Sequence, residues 1–196
     1  YNLQLINCIN NMIKQLIYHR ITTFFLKLFC SLFYNPKYLK GKFFEKHRMG
    51  YWWAIRAIPR LYFLHRQNVN WPVGKNTMIL GGDKILFHVN SINVFQQPGC
   101  YFQAFATINI GNNVWIGQNT GIITANHNLL DPEQHEIGKP VYIGDNTWIG
   151  MNSVILPGVS LGPNTIVGAG SVVTKSFPAG HCVIAGNPAK LLKIIE

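Results

Sequence analysis

His127 is the side chain best suited to proton transfer, and it stands in "NHNLLDPEQHEIGKP", residues 126 to 140. A neutral imidazole, with an ordinary pKa of about 6.5, can accept a proton near neutral pH. A base works better when its other ring nitrogen is held. Asp131, Glu133 and Glu136 lie in the same stretch and could hold it, and a backbone carbonyl could do so equally well. Asn126 either contacts a reactant or shapes the turn, and His135 reads as a loop residue rather than a second base. What singles out His127 is the pattern that stops at this point and resumes after it.

Ile143, Ile149, Ile155, Leu161, Val167 and Val173 stand six apart. Ile110, Ile116 and Ile122 keep the same spacing, as do Val73, Ile79 and Ile85. Three positions after each of nine such anchors comes Asn or Gly: Asn76, Gly82, Asn113, Asn119, Asn146, Asn152, Gly158, Asn164 and Gly170. Those two residue types tolerate the left-handed backbone region, so a turn needing positive φ recurs every sixth residue. His88 and Ala125 break the rule where the phase slips. A period of six does not match a helix, and lone strands would not require the recurring Asn or Gly. It predicts a solenoid of short parallel strands, three sides and about eighteen residues to a coil, with ends that need capping.

The chain has 196 residues and 48% apolar residues, enough for a packed core. Its net charge of +10 is confined to one end: residues 1 to 72 hold eleven Lys and Arg against Glu45 alone, whereas residues 73 to 196 hold six of each sign. The basic third is also aromatic, and residues 1 to 34 place Ile6, Ile9, Ile13, Leu16, Ile17, Phe24 and Leu28 near helical spacing. A second helix is expected over Trp52 to Leu64, cut by Pro59. Three segments follow: a mainly helical region over 1–72, the solenoid over 73–185 with its loop at about 126–140, and a tail over 186–196 that forms a short helix. Cys8, Cys30, Cys100 and Cys182 are scattered and form no CxxC, which fits reduced cytosolic thiols rather than a disulfide frame or a zinc site. Ile21 to Phe33 is too short for a membrane span and lacks a cleavage site, so no signal peptide is expected.

The stretch "GKPVYIGDNTWIGMNSVILPGVSLGPNTIVGAGSVVTKSFPAGHCVIAGNPAKLLK" resembles the hexapeptide-repeat acyltransferases. It is similar to galactoside and maltose acetyltransferases and more similar still to O-acetyltransferases of bacterial capsule and lipopolysaccharide clusters. The likeness runs from about Ile108 to Lys193 and weakly back to Val73. It implies an all-β solenoid wound as a left-handed parallel β-helix, against the right-handed rule for ordinary crossovers. It also implies a homotrimer, with acetyl-CoA lying between adjacent β-helices and His127 as general base on the loop. By position in the family's pattern, Trp148, Met151, Ala169, Thr174 and Lys175 line the acetyl-CoA site, and Lys190 and Lys193 meet the nucleotide phosphates. Backbone amides near Gly150 and Met151 are candidates to stabilise an oxyanion. "GAGS" lacks the third glycine and the strand-to-helix setting of a dinucleotide fingerprint.

The sequence departs from the small-sugar enzymes where their acceptor-binding residues stand. "FQQPGCYFQAFATINIGNN" is aromatic there, and Tyr101, Phe102, Gln103 and Phe105 either stack on a larger saccharide or belong to the core or a trimer contact. Residues 1–72 have no counterpart in those enzymes; they cap the solenoid, contact an anionic membrane, or both. No nucleic-acid recognition motif accompanies the basic charge. The expected activity is O-acetylation of a surface saccharide or its lipid-linked precursor by a cytoplasmic enzyme, at the inner face of the membrane if that contact is made. The rivals are N-acetylation of an amino sugar, a non-catalytic carbohydrate-binding solenoid, and a β-helical carbonic anhydrase. The last needs three convergent histidines for zinc, and only His127 and His135 lie close together in a suitable place.

Overall fold

The six-residue beat is one flat side of a three-sided coil. The computed structural model describes Ile6, Met12 and residues 19–46 and 48–195. Its strands form three parallel stacks. The first side holds β1 (Met78–Leu80), β3 (Tyr101–Gln103), β6 (Gly121–Ile123), β9 (Val154–Ile155) and β12 (Val172–Val173). The second holds β2 (Ile85–Phe87), β4 (Ile108–Ile110), β7 (Val141–Ile143) and β10 (Ser160–Leu161). The third holds β5 (Trp115–Ile116), β8 (Trp148–Ile149), β11 (Thr165–Val167) and β13 (Cys182–Gly186), closed by β14 (Ala189–Ile194).

Each anchor points into the prism. Ile122, Ile149, Ile155 and Val173 are wholly buried and stack on their counterparts in the coils above and below. The turns between sides carry the left-handed residues: Asn76, Asn113, Asn119, Asn146, Asn152, Asn164, Gly158 and Gly170 all have positive φ. Gly82 does not, because Gly81 (φ 71) makes that turn, where a Cβ would stand 2.4 Å from the Ala104 carbonyl.

Pairing measures the interruption. Ile155 pairs with Val173, eighteen residues on, but with Ile122, thirty-three residues back. Ile143 relates in the same way to Leu161 and Ile110, and Ile149 to Val167 and Ile116. All three sides therefore skip the same fifteen residues, which lie between β6 and β7. The earlier slip has a different cause. In the first coil the third side is a run of 3-10 helix, Val89–Gln96, that buries Ile92, Val94 and Phe95.

The helical region is α1 (Arg20–Ser31), α2 (Lys42–Glu45), α3 (Met49–Ala57) and α4 (Leu61–Arg66). Pro59 sits in a 3-10 turn, Ile58–Arg60, that separates α3 from α4. Ile9, Ile13, Leu16 and Ile17 lie outside the described residues. The core is continuous between the helices and the coils. Tyr34, Phe43, Phe44 and Trp71 belong to the same buried cluster as Ile79 and Ile92. Tyr38, Trp71, Phe87, Phe95 and Phe102 form a run of rings, neighbouring centroids 4.8 to 5.3 Å apart, that fills the base of the prism. A coil can cover only its neighbours, so the first one needs such a plug.

The expected C-terminal helix is instead β14, antiparallel to β13. The chain reverses at Gly186, φ 109, and Lys190 pairs with Ala185 and Lys193 with Val183. A helix would have left the last strand's edge unpaired, and an antiparallel strand satisfies its backbone groups.

Candidate functional site

The loop leaves the prism at the edge between the first and second sides, and polar groups hold its root. The Thr124 hydroxyl donates to the Gln103 carbonyl at 2.8 Å and accepts the Ala106 amide at 2.9 Å. The side-chain oxygen of buried Gln103 accepts the amides of Thr124 (3.3 Å) and Ala125 (3.1 Å). The Lys139 amide returns to the Thr124 carbonyl at 2.7 Å and closes the loop.

Within the loop the chain folds back on itself. His127 and His135 form an antiparallel bridge, flanked by Asn128 N to Gln134 O (2.9 Å) and Glu136 N to Asn126 O (2.8 Å). Asn128 makes the turn by accepting the amides of Leu130 and Asp131 at 2.8 and 3.2 Å. Its side chain thus does the work of a backbone turn.

The result is an oriented imidazole. His127 Nδ1 lies 2.6 Å from the Pro132 carbonyl oxygen. A carbonyl only accepts, so Nδ1 carries the hydrogen and the Nε2 lone pair is left for chemistry. The His135 ring packs on that of His127, centroids 4.2 Å apart and tilted 35°. Phe105, from the coil wall, meets His135 in a T-shaped contact with ring centroids 4.9 Å apart. A base held through one nitrogen and backed by a ring can remove a proton from a hydroxyl or amine brought to the other nitrogen.

Asp131 was an expected support for His127, and the structure gives it another task. Its carboxylate accepts the Glu133 amide at 3.1 Å and the Gln134 side-chain amide at 2.8 Å, bracing the loop tip. Asn126 is exposed beside His127 and uses its backbone carbonyl in the hairpin. Two acceptor candidates are also corrected. Phe102 has no exposed surface because its ring belongs to the plug below, and Gln103 is the brace at the loop root. Tyr101 and Phe105 keep partial exposure. The signals missed in the sequence were of two kinds. The Pro132 carbonyl is a backbone group with no residue signature, whereas Asn128 followed by Asp131 is a readable turn motif.

The remaining candidates lie on different edges. Trp148 is on the third side, and Met151 and Ala169 follow on the edge from third to first, all exposed. That edge is packed backbone to backbone: a Cβ on Gly150 would lie 2.5 Å from the Ala169 amide nitrogen. The Gly150 amide donates to the Val167 carbonyl at 2.8 Å, so it serves the ladder and not an oxyanion, and the Met151 amide is the candidate beside it. Beside Gly170 the space is open to 4 Å, so exposed Ala169 and Gly170 make a smooth ledge. Thr174 and Lys175 are exposed on the edge that carries the loop, two coils from its root. Lys190 and Lys193 are exposed on β14. One chain therefore does not gather these residues into a single pocket; a whole face of the prism separates the ledge from the loop edge.

Three kinds of likeness accompany this geometry. Residues 140–175 match the family model described as bacterial transferase hexapeptide (six repeats). A protein named as an acetyltransferase in Dictyostelium discoideum is 45% identical over 106 residues, covering 53% of this chain and 55% of that protein. The chain spans about half the length of the curated relatives it matches. Among solved structures, a hexapeptide-repeat acetyltransferase of Vibrio cholerae complexed with acetyl coenzyme A has a TM-score of 0.57 and 31% identity, covering 63% of this chain and 67% of that one. A maltose O-acetyltransferase of Clostridium difficile has a TM-score of 0.51 and 27% identity, covering 92% and 91%, so the likeness reaches into residues 1–72, where the sequence offered no counterpart.

Proposed function

The chain belongs to the hexapeptide-repeat acetyltransferases, with their left-handed parallel β-helix, and from that premise we propose an acetyl-CoA-dependent O-acetyltransferase with His127 as general base. Its acceptor is a hydroxyl of a bacterial surface polysaccharide, capsular or lipopolysaccharide, or of a lipid-linked precursor. The observation that carries this reading is the bond between His127 Nδ1 and the Pro132 carbonyl, which leaves Nε2 unprotonated in the neutral ring.

The hydroxyl oxygen attacks the thioester carbonyl carbon as its proton passes to Nε2. The tetrahedral intermediate collapses with cleavage of the carbon–sulfur bond, and the thiolate recovers the proton from Nε2. The chain's own part is to orient the base, donate an amide such as that of Met151 to the oxyanion, and exclude water. The ledge at Ala169 and Gly170 suits a thin pantetheine arm, because no side chain rises from it. Trp148, Met151 and Ala169 line that path from one subunit, Thr174 and Lys175 reach it from the loop edge of the next, and Lys190 and Lys193 meet the phosphates.

The active unit is a homotrimer. The loop edge of one chain faces the ledge of the next, which unites two sets of residues that a single chain keeps on separate edges. The loop carries Leu129, Leu130 and Ile137, each more than 90% exposed, an arrangement that a neighbouring subunit would cover. Tyr101 and Phe105, partly exposed beside the loop root, offer ring faces to a saccharide. The enzyme works in the cytoplasm at the inner face of the membrane, with residues 1–72 towards the lipid.

The test is thiol release from acetyl-CoA with surface oligosaccharides as acceptors. Turnover with wild type and its loss in His127→Ala, with folding and assembly size kept, is the expected result. Full activity of the variant would sink the mechanism. Product stable to mild base would reassign the acceptor to an amine, and no turnover with any saccharide would leave a binding solenoid.

A further inference from the structure

α1 is apolar on two sides. Leu26, Cys30 and Phe33 pack towards α3 and the core, and α3 receives the Tyr34 hydroxyl through the Ala54 carbonyl at 2.8 Å. The other side carries Ile21, Phe24, Phe25, Leu28, Phe29 and Leu32, all between 44% and 73% exposed. Their spacing is that of one stripe along a helix. A second apolar side is a second surface to cover, and among the described residues α1 is covered on its core side alone. Beside it, Leu26, Met49, Trp52 and Ile55 line an apolar groove of about 420 Å³.

The charge of the region names the cover. Residues 1 to 72 carry eleven Lys and Arg against one Glu. Lys27, Lys37, Lys40, Lys46, Arg56 and Arg66 are exposed on the described part of it. Two of these cations lie over exposed rings, Arg56 on Trp52 (5.6 Å) and Arg66 on Tyr62 (5.8 Å). Among the described residues no helix is long and apolar enough to cross a membrane. A second copy docking through the same stripe would bring two strongly cationic regions together. An anionic surface with an apolar interior meets both halves of the pattern.

We propose that α1 lies in the plane of an anionic phospholipid bilayer, with the Phe24–Leu32 stripe in the acyl boundary and the lysines and arginines among the headgroups. This deepens the membrane placement proposed above, but neither the surface nor its test depends on acetyl transfer.

The experiment is co-sedimentation of the full chain with vesicles of phosphatidylcholine alone or mixed with phosphatidylglycerol. Binding to the mixed vesicles, reduced at least tenfold by 0.5 M NaCl and at least tenfold on pure phosphatidylcholine, is expected. The triple variant Phe24→Ser, Phe25→Ser, Leu28→Ser should lose at least tenfold in binding while its assembly size and melting stay unchanged. Leu32→Glu, a single exposed change, should lower binding in the same direction. Failure of the wild type to bind anionic vesicles, or undiminished binding by both variants, overturns the proposal. A triple variant of smaller assembly size also overturns it, because the stripe is then a contact between copies. Vesicle binding by a chain that never turns over acetyl-CoA would reject the enzymatic reading and leave this one standing.

Discussion

Two edges of the same prism solve the same problem in opposite ways. From second side to third, Asn113, Asn146, Asn164 and His181 all adopt positive φ, and Gly111, Gly144 and Gly162 leave no room for a Cβ. Asn113 donates to Asn146 at 2.9 Å, so the turns also bond to one another. From first side to second, Gly81 and Gly158 alone among the turn residues are left-handed, the turn after β3 has none, and the turn after β6 is the His127 loop. Each coil rests on its neighbours, so two regular edges hold the register while the third is free to diverge. The candidate base sits on the edge that the stack does not need.

Substitutions at four positions test that division. His127→Ala should cut acetyl transfer by about 10²- to 10⁴-fold, the usual worth of a positioned base, with no change in urea unfolding. Any large loss of stability would mean that the loop belongs to the scaffold. Asn146→Val on the regular edge should do the reverse. A β-branched residue forced to φ 56 costs about 1–3 kcal/mol, and the bond from Asn113 is lost as well. Equilibrium unfolding would record that drop, and an unchanged midpoint would refute the claim that these turns set the register.

Gln103→Leu probes the junction. It removes the acceptor of the Ala125 amide, and a buried donor left unpaired costs about 1–3 kcal/mol. Because the cost falls at the loop root, kcat should drop by more than the unfolding midpoint suggests; a purely global loss would place Gln103 in the scaffold instead. The smallest effect belongs to His135→Ala. An aromatic pair is worth about 0.5–1.5 kcal/mol, so kcat should fall about two- to tenfold with KM nearly constant. His135→Phe should restore most of it if the ring acts by packing, and a failure to rescue would show that its nitrogens matter.

The helical region adds a contrast in stability and reactivity. Tyr34 and Cys30 are buried where α1 meets α3, and burial pushes the Cys30 thiol up to about 11. At pH 8 it therefore stays protonated and inert to alkylation until the chain unfolds.

The periodic part of the molecule was legible in the residues. Inward aliphatics every six positions and Asn or Gly three later describe one side and one turn, and the coils repeat them except at the 3-10 run and the loop. Such a pattern needs only near neighbours to be read. That also located the loop, because a missing beat is a local fact. Gly82 for Gly81 is the size of error that this reading makes, one residue at a turn.

What the sequence by itself determined, then, is the coil, its inward face and the point of departure at about residues 126 to 140. Tertiary structure decided the rest. It chose the Pro132 carbonyl over Asp131 as the partner of His127, drew Phe102 into the plug, and turned the last residues into β14. It also left the Phe24 and Leu28 face of α1 in the open, although helical spacing alone would have sent that face inward. These outcomes share a physical cause. They depend on backbone groups that carry no residue signature, or on which of two apolar faces finds a surface to bury. Such choices are made between segments far apart in the chain.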